Sequence, residues 1–440
     1  MKKNIEFNNF FGVNLVIALA LLGSAFTQFR FSDLPIGVSD IFFLLYIIYS
    51  LGLFSISFNN HHSYKVMDPT RRLIIPILLF LVFFLLLNFA GSIYSSLLLT
   101  SGSLPLPWNP EGASLLISPY RNIVAFSYLM IIFTVLFIRA DIDIGSVAFY
   151  TLLLLSFAIA FFYIVSIFTN NIFGRNLYYV ANEGTQWTDR LILFAKNPNQ
   201  LADFIAPLPF FLLYFIKNSK SALFTLLIST LIALVVLTAL EASSKSLLLG
   251  WIIAIVYLLI HYIFRGKYAM YLISTLVFFS TTVLFYFHIN YSDSIINVLQ
   301  NLFDSSGAMT IDNSIVYDML IRVKLISNAI EAGYLSPVFG LGSGASSGVF
   351  ETFQGRESHN HFSEIFMTSG ILGLLSYLGL MLYVFSKISS AREPFLMSVL
   401  IVITVTSMFH LQLRQPLFWF YILFLLYYTS NFSKKEQKYD

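Results

Sequence analysis

Several polar clusters in this chain carry the side-chain types that catalysis and anion binding need. Ser358-His359-Asn360-His361 is preceded by Glu357 and followed by Glu364. An imidazole titrates near neutral pH and can take a proton from a hydroxyl group. Two histidines beside carboxylates could also ligate zinc, although two ligands two residues apart in a loop fall short of the usual sets. A solvated loop histidine is the third reading, and the residues alone leave all three open. Arg190 follows Trp187-Thr188-Asp189 and precedes Lys196-Asn197-Pro198-Asn199, while Arg322 stands inside Ile315–Ala332. In that stretch Ile315, Met319, Val323 and Ile326 recur at helical spacing. A guanidinium forks onto phosphate or carboxylate oxygens. Asp189 beside Arg190, and Asp318 four residues before Arg322, offer each an ordinary ion pair instead. Glu241 and Lys245 flank a turn and could pair with each other. Gly340-Leu341-Gly342-Ser343-Gly344 has the glycine density of a phosphate loop. Such a loop needs a strand before it and a helix after it, and here the stretch reads as a flexible turn.

Apolar elements must position these clusters, because the chain supplies little else. Of its 440 residues 58% are hydrophobic and 11% charged, with a mean hydropathy of +0.79. A soluble domain carries about 25% charged residues. Too little polar material remains to coat a water-exposed surface, so the surface must face lipid. The pattern predicts an all-α polytopic membrane helical bundle, a single domain over 1–440. A bilayer-spanning helix takes roughly 20 apolar residues, and about twelve such spans are expected. They are 10–29, 36–58, 73–99, 122–138, 146–169, 198–216, 222–240, 247–264, 268–288, 362–386, 395–411 and 416–430. The stretch 289–361 is then the one large extracytoplasmic loop. Lys2 and Lys3 ahead of the apolar run Phe10–Phe29 are compatible with a signal peptide. The many spans that follow favour a retained first helix. Pro207 and Pro209 interrupt the sixth span and predict a kink there.

With the N-terminus inside, fifteen of the 25 Lys and Arg residues fall in the loops of the cytoplasmic side and ten on the other. Every inner loop then carries a positive charge, as the positive-inside rule requires, and both termini are cytoplasmic. Six of the ten outer positives lie in 170–197 and 289–361. Chance and loop length are one explanation, since long loops escape the rule; an anionic ligand held at the outer membrane surface is the other. No span has a charged residue near its centre, which argues against an ion-coupled transporter. The chain has no cysteine, which excludes disulfides, thiolate metal sites and cysteine nucleophiles. A net charge of +3 gives no sign of a nucleic-acid partner.

Three of these segments, in order, resemble those of a known family. Arg190 with Asn197-Pro198-Asn199-Gln200-Leu201-Ala202 resembles the Arg…Asn-Pro-Asn-x-Leu-Ala segment of the O-antigen ligase and polymerase superfamily. Arg322 with Pro337 and Phe339-Gly340-Leu341-Gly342 is similar to its outer-loop Arg…Pro-x-x-Gly-x-Gly segment. Ser358-His359-Asn360-His361-Phe362, with Glu364 and Gly370-Ile371-Leu372-Gly373, resembles its His-Asn motif before a late span. The match runs from about residue 190 to 375; before it only the hydropathy agrees. Leu193 and Lys196 stand where the family often has Gly, and Ser244-Lys245 where it often has Ser-Arg. Lysine meets phosphate as a point charge without the bidentate fork.

The resemblance implies a metal-independent, inverting glycosyltransferase of the bacterial inner membrane that needs no cofactor and works on the outer face. Its donor would be a glycan on undecaprenyl diphosphate, with Arg190 and Arg322 neutralising the diphosphate. His359 would take the proton of the acceptor hydroxyl. Lys196, Asn199, Lys245 and Asn360 are the further positions expected to bind or orient substrate. The acceptor separates three variants: an O-antigen or capsule repeat-unit polymerase, which leads; a ligase that transfers the glycan to lipid A–core; and a protein O-glycosylating enzyme. A transporter or lipid-glycan flippase is the rival of another class. Membrane lipids are the remaining partner.

Overall fold

The computed structural model describes residues 7–27, 41, 43–48, 71–100, 117–138, 142–173, 178, 190–265, 314–342 and 358–436. The expected span 268–288, most of 36–58, and residues 289–313 and 343–357 of the expected loop lie outside the described residues. The described helices are α1 (Phe7–Ala25), α2 (Ile75–Thr100), α3 (Ile117–Ile138), α4 (Ile144–Phe173), α5 (Pro198–Ile205), α6 (Leu208–Asn218), α7 (Ala222–Ala242), α8 (Lys245–Arg265), α9 (Ser314–Leu335), α10 (His361–Ala391), α11 (Pro394–Ser407) and α12 (Pro416–Glu436). Apart from a lone bridge residue, Leu191, the described residues contain no strand.

Among the described residues, six segments are long and apolar enough to cross a membrane: Ile74–Ser95, Ile144–Thr169, Pro198–Asn218, Ala222–Ala242, Lys245–Ile263 and His361–Ala391. Four shorter apolar helices, Val13–Ala25, Ile123–Ile138, Pro394–Ser407 and Pro416–Ser430, fall on further expected spans. Burial follows the logic of lipid rather than water. On α10, Ile371, Leu375, Leu378 and Leu382 form an exposed stripe at helical spacing, and Leu382 is 64% exposed. The same helix buries Thr368, Ser369 and Tyr377. This is a helical membrane protein.

The sixth expected span is two helices in line, α5 and α6, broken at Ala206-Pro207 as the prolines require. Its interior position is fixed by Trp251 Nε1, which donates to Ala206 O at 2.9 Å, and Tyr421 OH, which donates to Phe204 O at 2.9 Å. A second break, at Gly370 of α10 (φ 62, ψ −165), has no proline. Its cause is the Pro337–Gly342 turn that follows α9. Leu341 N donates to Met367 O (2.8 Å) and Gly342 N to Thr368 O (3.0 Å); Ile371 N donates to Pro337 O (2.8 Å) and Leu372 N to Val338 O (3.4 Å). The turn thus satisfies the backbone groups that the break frees, as a lipid-facing bundle demands. Gly91 of α2 approaches the same turn from the other side.

Gly340-Leu341-Gly342 is therefore a packed wedge rather than the flexible turn expected from the sequence, and Ser343-Gly344 lie outside the described residues. Counted from His361, Gly370 lies roughly 13 Å along α10 at the helical rise per residue, so the C-terminal end of α9 is sunk into the bundle rather than free in solvent. A Cβ on Gly340 (φ 72) would overlap the backbone of Thr368 and Ser369. Gly340→Ala is accordingly expected to cost about 3 kcal/mol, measured as a lowered melting temperature in detergent. Gly379→Ala, where nothing lies within 4 Å of the new methyl, is the control expected to melt normally.

Chain direction sorts the loops into two ends. Thr27, residues 190–197, 242–246, 358–361 and 408–415 meet at one end. Asp143 with Asn14, and Lys217 with Glu393 (2.7 Å), mark the other.

Candidate active site

Each cluster singled out in the sequence reaches the first of these ends through a local rule. Asn197-Pro198 starts α5: Asn197 Oδ1 caps Gln200 N at 2.8 Å, and Pro198 takes the first turn, where its missing N–H is not needed. Asn199 is thereby presented in that first turn to Arg190, whose Nη2 donates to Asn199 Oδ1 at 3.4 Å. Arg190 Nε donates to Ala242 O (3.0 Å), and Leu191 N to Glu241 O (3.3 Å), which ties this segment to the end of α7. Glu241 accepts from Tyr163 OH at 2.8 Å. The turn that follows passes through Ser243 (φ 50) and opens α8 at Lys245. Lys245 is exposed between two buried serines, Ser244 and Ser246, whose hydroxyls lie 3.1 Å apart. Lys196 is held at the end of α1, where its N–H donates to Thr27 Oγ1 at 2.8 Å; its side chain is exposed.

The His-Asn corner is built as a clamp. Asn360 caps α10: its Oδ1 accepts from Phe362 N (2.9 Å) and Ser363 N (3.0 Å), while its Nδ2 donates to Met408 O at 2.8 Å. Ser358 is held from the other side by Glu364, whose Oε2 accepts from Ser358 N at 3.2 Å and Ser358 Oγ at 3.0 Å. His359 lies between the two anchors, exposed and in the left-handed region at φ 53. Its neighbour His361 is fully buried. Gln412 N donates to His361 Nε2 at 2.6 Å, so that nitrogen carries no proton, and Nδ1–H faces Tyr377 OH at 3.3 Å. Both ring nitrogens of His361 are thus engaged, which removes the zinc reading of the histidine pair.

The second arginine arrives from α9. Half-buried Arg322 donates from Nη1 to Phe409 O at 3.4 Å, one residue beyond the carbonyl that Asn360 holds. The Asp318 side chain lies outside the described residues. The structure therefore ties Arg322 and the His359–Asn360 corner directly to one connection, residues 408–412, joins the Lys245 turn to it through Ser246 and His410, holds Arg190 against Asn199 and Ala242, and sets Lys196 against α1.

At the centre of that connection are residues that the sequence reading passed over. His410 Nδ1 meets Asp203 Oδ1 at 2.6 Å, and Gln412 Nε2 donates to the same oxygen at 2.7 Å. His410 Nε2 faces Ser246 Oγ at 3.2 Å. Asp203 stands four residues after Asn199, on the same helix face. That spacing was the available signal. His410 and Gln412 stand at and just past the end of the expected span 395–411, with no carboxylate near them in sequence to mark a pair. Arg414 and Glu364 line a further small cavity here, of about 10 Å³.

Chemically, the described residues of this end include Arg190, Lys245 and Arg322 as cations, the exposed imidazole of His359, and the carboxylates of Glu241, Glu364 and Asp203 bonded to protein partners. That set suits an anion and a hydroxyl that must lose a proton. A larger cavity of about 550 Å³, lined by apolar side chains with His261, Arg392 and Glu393, lies toward the opposite end and shares no residue with this one. No protein-family model matches the chain, and a search of curated proteins finds no match.

Proposed function

We propose that the protein is a glycosyltransferase that extends glycans carried on undecaprenyl diphosphate, acting as a repeat-unit polymerase at the outer face of a bacterial inner membrane. In this reading the chain makes about twelve spans of bilayer length, has both termini in the cytoplasm, and carries 289–361 on the outer side. The polyprenyl tail lies in lipid beside the bundle, and the diphosphate sits at the interface against Arg190 and Arg322. Lys245 adds charge at the rim.

The chemistry follows from the charges. His359 takes the proton of the acceptor hydroxyl, the oxygen attacks the anomeric carbon, and the bond from that carbon to the phosphate oxygen breaks with inversion. Negative charge grows on the leaving diphosphate as the bond opens, and cations already in place stabilise it without reorganising. The exposed position of His359 lets the proton pass on to solvent. Asn360 orients the corner and does not react.

One observation carries the proposal: Arg322 and the His-Asn corner are tied to one connection, Met408–Gln412, and Arg190 is held by Asn199 on the helix whose Asp203 bonds His410 of that same connection. A deletion strain tests it. Its surface polysaccharide, run on a gel, is expected to stop at one repeat unit on the lipid core. Long glycan stranded on the lipid carrier would indicate a ligase instead, and an unchanged ladder would exclude a role in this polymer.

A further inference from the structure

Asp203 and His410 lie 2.6 Å apart with side chains 4% and 7% exposed, inside an apolar bundle. Taking an ionisable pair out of water is costly, and apolar replacements of such pairs are often equally stable. Stability therefore gives no sufficient reason for the pair. Its connections give another. Asp203 sits one turn beyond Asn199, which holds Arg190. His410 reaches Ser246 at 3.2 Å and through it Ser244, the two residues that bracket Lys245. His410 also follows directly on Met408 and Phe409, whose carbonyls receive Asn360 and Arg322. Gln412 closes the loop by donating both to Asp203 and to His361. One buried pair thus links every segment that bears a charge of the site.

We propose that Asp203 and His410 are positioning residues that set the spacing between the Arg190–Lys245 side and the Arg322–His359 side of the substrate site. The catalytic half of this assignment rests on the glycosyltransferase reading; the geometric half does not. The trio Asp203–His410–Ser246 has the order of a nucleophilic triad, but Ser246 is 5% exposed and its hydroxyl is shared with Ser244. That is the environment of a structural serine.

The chain has no cysteine, so two engineered ones can carry spin labels without background. Val323→Cys on α9 and Leu249→Cys on α8, 61% and 41% exposed, report the separation of the two sides in the otherwise intact protein. His410→Ala is expected to broaden the label distance distribution and to lower kcat about 10- to 100-fold, with KM for a lipid-linked donor little changed. His410→Asn keeps a donor toward Asp203 and is expected to restore most of the turnover and the narrow distribution. His410→Gln keeps only the reach to Ser246 and is not. Full turnover in His410→Ala, or reduced turnover with an unbroadened distribution, would overturn the assignment. So would a Gln variant as active as the Asn variant, which decides the matter if the Ala variant does not accumulate. Covalent capture of Ser246 by a fluorophosphonate would make the trio a nucleophilic site and equally overturn it. Should the enzyme reading itself fail, no variant has a turnover to compare, yet the label distances still show whether the pair holds the connection.

Discussion

His359→Ala is expected to slow glycan transfer about 10²- to 10⁴-fold, the span that a general base contributes, while the protein still accumulates in the membrane. The expectation rests on how the corner is held. Ser358 is fixed by Glu364 and Asn360 by the start of α10 and by Met408 O, so removing the imidazole leaves both anchors in place. One complication is local. His359 has φ 53, a region that an alanine occupies less readily than an asparagine. His359→Asn separates the two effects, because it relieves the backbone and still lacks a base. Equal loss in both variants assigns the effect to proton transfer; recovery in the Asn variant assigns it to backbone strain. Rates should be read from time courses with a lipid-linked donor, since a gel of accumulated polymer saturates. His361→Ala is expected to behave differently. It breaks the bond from Gln412 N and empties a fully buried site, so the protein should melt earlier in detergent. Wild-type rates in both His359 variants would sink the proposed mechanism.

The fold was legible where hydrophobicity alone decides it. The helices from α1 to α12 that are described fall on expected spans, α9 excepted, and α9 itself runs from Ser314 to Leu335 where helical spacing placed Ile315–Ala332. The break at Ala206-Pro207 was visible because proline announces it. The break at Gly370 was not, since a glycine in an apolar helix reads as ordinary packing until another segment is known to fill the gap. The Pro337–Gly342 turn that fills it lies about thirty residues earlier, and no periodicity connects the two. The site divides in the same way. Arg190, Arg322 and His359 stood out because charge is scarce in so apolar a chain and because the segments that carry them, in order, resemble those of a known family. Asp203 did not, because one carboxylate at the start of an apolar helix looks like its solvated end, and only His410, two hundred residues later, shows it to be buried. Side-chain type points to chemistry; partnership across the chain is set by the fold.

Loss of either arginine is the second large effect, and the two should not be equivalent. Arg190→Ala and Arg322→Ala are each expected to lower kcat about 10²- to 10³-fold, the cost of removing one preplaced donor from a developing anion. If both act on the same diphosphate, the double variant should lose less than the product of the single losses, because groups that work as a unit are not additive. Lysine replacements then distinguish them. Arg190 uses Nε on Ala242 O and Nη2 on Asn199, so its fork also fixes the segment, and a point charge cannot reproduce both bonds. Arg322 meets the carbonyl Phe409 O through Nη1 at 3.4 Å, a single-point contact that an ammonium group can also make. Arg322→Lys should therefore keep more activity than Arg190→Lys, and its residual rate should fall more steeply with added salt, since an ammonium holds phosphate by charge alone. Parallel losses in the two lysine variants would mean that neither fork shapes the site. Normal kinetics in both alanine variants would overturn the assignment of the two arginines to a diphosphate.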